Sequence, residues 1–194
     1  MEKHVKKQKR GMSYYLGNGI LIAAFVGFIY LFWPIIQIYL FPPKIQTHLP
    51  RTGMYITIPK IHAQAPVIPG VDPYNQAVYD AALKHGVAQA KGTSLPGQKG
   101  TMYLFAHSSG PVWDLTHFNT IFWRLGELQK GDLITIRRNG ENFYYTVHDT
   151  KVISPSNLSY LRDTRKTQLI LQTCTPVGTS LFRLLVFANP VPKP

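Results

Sequence analysis

The sequence predicts a mainly β domain, closed into a barrel with a few short helices and preceded by one transmembrane helix. Residues 11–43 contain no Asp, Glu, Lys or Arg, and residues 20–40 are apolar except for Gln37. The remaining chain shows seven short strand patterns but only two helix patterns. Many short strands favour a barrel, because closure leaves no exposed sheet edge.

The apolar run is long enough to cross a bilayer, since a helix needs about 20 apolar residues to span roughly 30 Å of hydrocarbon. A cleaved signal peptide has a shorter apolar region of about 7–15 residues and a small-residue cleavage site. This run instead ends in Phe-Pro-Pro at residues 41–43. Five basic residues lie within residues 3–10, so the positive-inside bias predicts a cytoplasmic N-terminus and places residues 44–194 outside the cell.

The strand patterns are β-rich or alternating runs bounded by Pro, Gly or Asn. They cover residues 54–59, 65–68, 100–106, 133–138, 143–153, 168–173 and 181–189. Asn139 and Gly140, between two of these runs, predict a two-residue hairpin turn. Helical spacing predicts a helix over residues 75–86, with Gly86 as its C-cap, and a second helix over residues 118–125.

Charge and cysteine content limit the function classes. Lys and Arg exceed Asp and Glu by 12 overall, and residues 42–194 hold 16 basic against 8 acidic residues. Outside a cell such a surface meets anionic wall polymers or lipid head groups, or is merely solvated. No nucleic-acid-binding motif is present, so no nucleic-acid partner is expected. A single cysteine excludes an intramolecular disulfide and a Cys-rich zinc site, and the scattered Asp and Glu predict no metal or other cofactor.

Two predicted strand ends carry reactive side chains. Cys174 ends one apolar run and His107 follows another. An imidazole beside a thiol promotes the thiolate and can protonate a departing amine. Arg183 lies nine residues after the cysteine in an otherwise apolar strand, where it faces solvent or addresses an anion or polarised carbonyl. A lone cysteine is most often a buried small hydrophobe, so these residues alone leave a catalytic pairing open.

In the order of its features along the sequence, the chain resembles the sortases. The resemblance covers residues 54–189 and rests on the membrane anchor, the strand ending in His107, the tetrapeptide Leu-Gln-Thr-Cys at 171–174, and Arg183 within its apolar strand. Ile170 stands where the family has the first Thr of Thr-Leu-x-Thr-Cys. The resemblance implies an eight-stranded barrel and a Cys-His-Arg active site. It also implies transfer of secreted proteins with a Leu-Pro-x-Thr-Gly-like signal to an amine acceptor of the cell wall.

The resemblance also assigns roles. Cys174 would be the nucleophile that forms a thioacyl enzyme, and His107 the general acid and then base. Arg183 would donate hydrogen bonds to the substrate backbone or the developing oxyanion. Thr173 and Ser108 are the candidate substrate-binding residues, and no acidic residue is expected to orient the histidine.

The predicted organisation has five parts. A basic cytoplasmic tail (1–13) and the anchor (14–41) are followed by a tether (42–53), the catalytic barrel (54–190) and a short tail (191–194). Pilin-assembling sortases resemble this chain in the nine-residue Cys-to-Arg spacing, but usually carry a long lid before the first strand and often a second anchor. Neither is apparent here, which favours attachment of proteins to the wall.

Two segments have open roles. Residues 49–53 of the tether read Leu-Pro-Arg-Thr-Gly, either by coincidence or as a self-substrate or plug of the active site. The loop 109–119 holds Trp113, Asp114, His117 and Phe118, and either shapes specificity or caps the barrel.

Two other function classes remain open at this stage. A thiol peptidase of the papain type usually places its Cys before its His, the reverse of the order here, and an L,D-transpeptidase has a Ser-x-Gly-Cys sequence that this chain lacks. A non-enzymatic, membrane-tethered wall-binding domain would leave the thiol idle.

Overall fold

The computed structural model describes residues 11–108, 120–162 and 165–194, and the chain divides into two compact units between Pro42 and Pro43. The first unit holds helix α1, Met12–Leu40, which is 29 residues long. Its segment Met12–Trp33 has a mean hydropathy of 1.9 and contains no Asp, Glu, Lys or Arg. By length and composition, α1 is therefore able to cross a membrane.

The second unit is a closed barrel of eight strands. They are β1 Met54–Ile58, β2 Ala63–Val71, β3 Val87–Ala90, β4 Thr101–Phe105, β5 Leu133–Arg138, β6 Glu141–Ile153, β7 Gln168–Thr175 and β8 Phe182–Val191. Around the barrel they follow the order β1-β2-β3-β4-β7-β8-β6-β5, and β5 pairs with β1 to close the ring. The pairs β2–β3 and β4–β7 are parallel and the other pairs are antiparallel. The predicted mainly β barrel with few helices is confirmed.

Helices occupy the connections between strands. Helix α2, Gln76–Leu83, links β2 to β3, and its N-terminus is capped because the Asn75 side chain accepts a hydrogen bond from the backbone N–H of Val78. Helix α3, Ser159–Arg162, is a single turn between β6 and β7. Short 3₁₀ helices cover Pro59–Ile61 and Leu125–Glu127.

The structure departs from the sequence prediction at three places. β3 was not predicted, because its four residues, Val-Ala-Gln-Ala, are all buried and show no alternation. The predicted second helix is absent from residues 120–124, which form turns before the 3₁₀ helix, and residues 118–119 lie outside the described part. Gly86 is not the C-cap of α2, since that position is Lys84. Gly86 instead passes so close to β2 that a Cβ there would lie 2.3 Å from the carbonyl oxygen of Pro66.

Alternating side chains fill the barrel interior. β1 buries every second residue, and its Ile56 and Ile58 pack with Leu104 of β4, Ile134 of β5 and Leu171 of β7 in one fully buried core. Apolar burial of this kind supplies the main favourable free energy of folding. It also fixes strand register, because a shift by one residue would turn the core face outward.

The strand register defines two ends of the barrel. We define the upper end as the one where β4 finishes at Phe105, β7 finishes at Thr175 and β8 begins. At the lower end, β4 and β7 begin, β8 finishes at Val191, β1 begins at Met54, and the β5–β6 hairpin turns at residues 139–140. In that turn Asn139 and Gly140 both have positive φ values, of 51° and 89°, so the hairpin turn predicted there is confirmed.

Candidate active site

His107 and Cys174 lie at the upper ends of two neighbouring parallel strands, β4 and β7. The β4–β7 ladder pairs Phe105 with Gln172, and the backbone N–H of Ala106 donates to the Gln172 carbonyl at 3.2 Å. His107 and Cys174 each lie two residues beyond that pair. Because side chains alternate along a strand, residues two apart share one face, so the imidazole and the thiol are delivered side by side.

Arg183 lies on the other side of the thiol, on β8. It is the residue directly opposite Cys174 in the antiparallel β7–β8 ladder. Side chains of such pairs stand on the same face of the sheet, with Cβ atoms about 4.5–5.5 Å apart. The guanidinium Nη1 donates to the backbone carbonyls of Ser180 at 3.1 Å and Phe182 at 3.2 Å. These bonds hold the guanidinium at the start of β8, beside the cysteine.

The three side chains line one pocket of about 360 Å³, and each is half-buried. The remaining walls come from α2 and the turn before it, from the outer faces of β4 and β7, and from the segment around α3. The lining residues are Pro73, Tyr74, Gln76, Tyr79, Asp80, Leu83, Tyr103, Phe105, Ala106, Pro155, Asn157, Leu158, Leu161, Gln172 and Ser180. The structure therefore brings His107 together with Cys174 and Arg183, which lie on two strands much later in the sequence.

Burial and one carboxylate shift the pKa of His107 in opposite directions. Removal from water lowers the pKa of His107, because burial penalises the charged imidazolium, and the negative charge of Asp80 raises it in part. Among the described residues that line the pocket, Asp80 is the sole carboxylate. Asp80 reaches the pocket from α2 but has no hydrogen bond to His107 in the described part of the chain, so the expectation that no acidic residue orients the histidine stays a prediction.

A buried tyrosine lies beneath the site. Tyr103 is 4% exposed, and its hydroxyl donates to Oε1 of Gln172 at 2.5 Å. Burial raises the pKa of Tyr103 well above its ordinary value, with a smaller opposing effect of the Arg183 charge. The phenol therefore stays neutral and fixes the side chain of Gln172 in the pocket floor. Neither residue was predicted from the sequence.

The two predicted substrate-binding residues do not line the pocket. Thr173 is 3% exposed, and its hydroxyl donates to the Ala106 carbonyl at 3.0 Å. It faces away from Cys174, as neighbours in a strand do, and ties β7 to the end of β4. Ser108 is 2% exposed and likewise absent from the lining. The sequence prediction placed both residues beside substrate because they adjoin the reactive side chains along the chain, whereas in the structure both are buried and neither lines the described part of the pocket.

Two further expectations concern neighbouring segments. The loop 109–119 lies outside the described residues. The pentapeptide 49–53 lies at the lower end, where the backbone N–H of Asn139 donates to the Gly53 carbonyl at 2.9 Å, and none of its residues lines the pocket. The pentapeptide thus does not occupy this pocket in the structure, and its role as a self-substrate stays a prediction.

The family is shown by similarity to known proteins. A family model described as a sortase domain matches residues 56–191. Sortase D of Bacillus subtilis strain 168 is 30% identical over 149 residues, which cover 73% of this chain and 67% of that protein.

Solved structures agree with this assignment. Sortase C-1 of Actinomyces oris has 32% sequence identity and a TM-score of 0.60, over 72% of this chain and 74% of that chain. Clostridium perfringens sortase C, solved with the C-terminal cell wall sorting motif, has 27% identity and a TM-score of 0.58, over 72% of this chain and 70% of that chain. With the matched domain extending from β1 to the end of β8, the chain belongs to the sortase family.

Proposed function

We propose that this sortase is a cysteine transpeptidase that joins secreted proteins to an amine acceptor of the cell wall. It would cleave a Leu-Pro-x-Thr-Gly-like sorting signal through a thioacyl intermediate. The observation that carries the proposal is the shared pocket of Cys174, His107 and Arg183, supplied by strand ends whose register the barrel core fixes. Groups held on rigid strands need little reorganisation during the reaction.

The first step is acylation. The Cys174 sulfur, having given its proton to His107, attacks the threonine carbonyl of the signal. The bond from that carbonyl to the glycine nitrogen breaks, and His107 passes the proton to the departing amine. Burial lowers the pKa of His107, and this makes the imidazolium a better acid toward that amine.

The second step is transfer. An incoming amine attacks the thioester, His107 accepts the amine proton, and the proton returns to the cysteine sulfur as the new amide leaves. Arg183 donates hydrogen bonds to the carbonyl oxygen as it gains negative charge in both steps. Its planar guanidinium suits this task because it stays charged and offers several N–H donors in a fixed arrangement.

The proposed reaction requires the barrel to face secreted substrates. The apolar helix α1 would act as the single membrane anchor, with the basic tail 1–13 in the cytoplasm and the catalytic barrel outside. The tether 42–53 supplies no residue to the pocket lining. This supports wall attachment over pilin assembly, since pilin-assembling sortases usually carry a lid in this part of the chain.

The test uses the full chain in nanodiscs with a peptide bearing the signal and a separate amine. Mass spectrometry is expected to find the peptide acyl group on Cys174 and, after amine addition, the transferred product. His107→Ala is expected to abolish both signals, whereas His148→Ala, an exposed histidine on β6, is expected to retain them. Release of free peptide acid without transfer at saturating amine would instead indicate a thiol peptidase. Absence of any acyl enzyme would favour the wall-binding class.

A further inference from the structure

A second cleft lies at the opposite end of the barrel from Cys174. Its volume is about 520 Å³, larger than the 360 Å³ of the pocket described above. One side is the turn that precedes β4, with Gln98 and Lys99, and the other is formed by the start of β6 and the end of β8. We call it the lower cleft, because all these segments meet at the lower end.

The walls of the lower cleft are closely packed. Phe143, Tyr144 and Pro190 form its apolar sides. A Cβ at Gly97 would lie 2.6 Å from the ring of Phe143, so the turn approaches the aromatic wall as closely as only glycine permits. The cleft is thus formed by fixed strand positions and a constrained turn.

The charge of the lower cleft has one sign. Its lining includes Lys99 and Lys193, and within the described part of the chain it includes no carboxylate. Both lysines are exposed, and neither has an ion-pair partner among the described residues. Gln98 and Asn142 add neutral amide donors at the same place. Ammonium and amide donors without a nearby carboxylate suit an anionic ligand.

The surrounding surface reinforces this charge. Four more basic residues lie at the lower end, namely Arg51 beside the hairpin turn, Lys91 after β3, Arg138 at the end of β5 and Lys166 before β7. The acidic residues described at this end are Asp72, after β2, and Glu141, whose Cα lies opposite that of Arg138 in the β5–β6 ladder. The lower end thus carries six basic residues besides two acidic ones in the described part of the chain, and two of the six line the cleft.

We propose that the lower cleft binds a phosphate-bearing anionic group carried on a polyol. Lys99 and Lys193 would contact the phosphate oxygens, and the amides of Gln98 and Asn142 would bond neighbouring oxygens. The flat walls of Tyr144 and Pro190 would pack against the carbon skeleton. Such a group occurs in two sources outside the cell, lipid head groups and soluble polyol-phosphate polymers. Binding either one would hold the barrel beside an anionic matrix without occupying the catalytic pocket.

The experiment first tests the soluble source. The full chain in zwitterionic phosphatidylcholine nanodiscs is titrated with poly(glycerol phosphate) at fixed ionic strength, and the dissociation constant is measured by thermophoresis. The double variant Lys99→Ala/Lys193→Ala is expected to weaken binding roughly tenfold or more. The matched control Lys60→Ala/Lys130→Ala removes the same charge from exposed upper-end positions and is expected to change binding less than about twofold.

The second arm tests the lipid source. Lysine acetylation is followed by mass spectrometry for the unmodified chain in nanodiscs with and without phosphatidylglycerol. Protection of Lys99 and Lys193, but not of Lys60 and Lys130, in the anionic discs would support a head group as the bound phosphate. Tight polymer binding sensitive to the first double variant would support the soluble source.

Three outcomes would overturn the proposal. The first is an equal loss of affinity in both double variants. The second is binding of polyglutamate as tight as that of poly(glycerol phosphate). The third is the absence of both polymer binding and protection of Lys99 and Lys193. Transfer of a soluble signal peptide in phosphatidylcholine discs is expected to be unchanged in Lys99→Ala/Lys193→Ala, which also checks that this variant folds.

Discussion

The two ends of the barrel present clefts of opposite character. The upper pocket is half-buried and combines a thiol, an imidazole, a guanidinium and a carboxylate, with a buried phenol beneath them. The lower cleft has exposed lysines and neutral amides, and no carboxylate in its described lining. Proton transfer needs an acid and a base with suitable pKa values held close together, whereas binding of an anion needs positive charge and hydrogen-bond donors. One barrel therefore separates the features suited to chemistry from those suited to attachment.

The variant with the largest expected effect on this comparison is Cys174→Ala. Loss of the sulfur removes the only nucleophile of the proposed mechanism, so peptide transfer is expected to fall roughly 10⁴-fold or more. The affinity of the lower cleft for poly(glycerol phosphate) is expected to stay the same. Transfer is measured by mass spectrometry and affinity by thermophoresis. Retained turnover in this variant would reject the nucleophile assignment.

Arg183→Lys tests whether the guanidinium acts through its geometry. An ammonium keeps the charge but loses the planar set of donors, and removal of one oxyanion donor typically lowers the rate about 10²–10³-fold. The matched control is Arg138→Lys at the lower end, which is expected to retain activity because Arg138 does not line the pocket. Single-turnover rates of acylation are the measurement. Near-normal acylation by Arg183→Lys would show that the planar arrangement is not used.

Gly97→Ala tests whether the lower cleft is a rigid feature independent of the site. At φ of +82° an alanine is strained, and its Cβ would press on the ring of Phe143 at 2.6 Å, so we expect a loss of about 1–3 kcal/mol in unfolding free energy. Gly92→Ala is a close control, since its φ is +83° but nothing lies within 4 Å of the added carbon. Chemical denaturation measures both variants.

The difference between these two glycine variants isolates the contact with Phe143. Equal losses would mean that the aromatic wall yields freely, and that the lower cleft is not rigid. Transfer activity at temperatures well below unfolding is expected to be the same in both variants.

Features that depend on neighbouring residues could be predicted from the sequence, whereas features that depend on contacts between distant residues could not. The hairpin at Asn139-Gly140 and strand β5 follow from adjacent residues and agree with the structure. β3 does not, because a short buried strand with two alanines has neither alternation nor strong β-propensity, and its position is set by pairing with β2 and β4.

The site shows the same limit. Period-two alternation along β7 places Gln172 on the face of Cys174 and Thr173 on the other face, so the local sequence pattern already separates these two residues. Asp80 gave no such signal. It lies 27 residues before His107 on a helix whose position over the pocket is determined by the crossover from β2 to β3. Its contribution depends on tertiary structure, so local sequence patterns did not reveal it.

The smallest predicted effect concerns Asp80→Asn. The carboxylate raises the pKa of His107 against the stronger effect of burial, so its neutralisation lowers that pKa further and reduces the imidazolium fraction at a given pH. Because His107 must be free to take the thiol proton, kcat/KM falls as the pH drops through the pKa of His107, and this acidic limb is expected to shift to lower pH. On that limb, kcat/KM is expected to rise roughly two- to fivefold, the effect of one partly exposed charge. Above it, where the imidazole is neutral in both proteins, the rates are expected to agree.

The pH–rate profile separates this electrostatic role of Asp80 from a structural one. Asp80→Glu is expected to restore the acidic limb in part, since it returns the negative charge to α2. Asp149→Asn neutralises an exposed carboxylate on β6, outside the pocket, and is expected to leave the profile unchanged. A loss of equal size at every pH, or a limb that does not move, would show that Asp80 supports the pocket wall without acting on the histidine. The upper pocket would then depend on burial and its strand-held groups alone, and the charge contrast between the two ends of the barrel would lose its mechanistic meaning for catalysis.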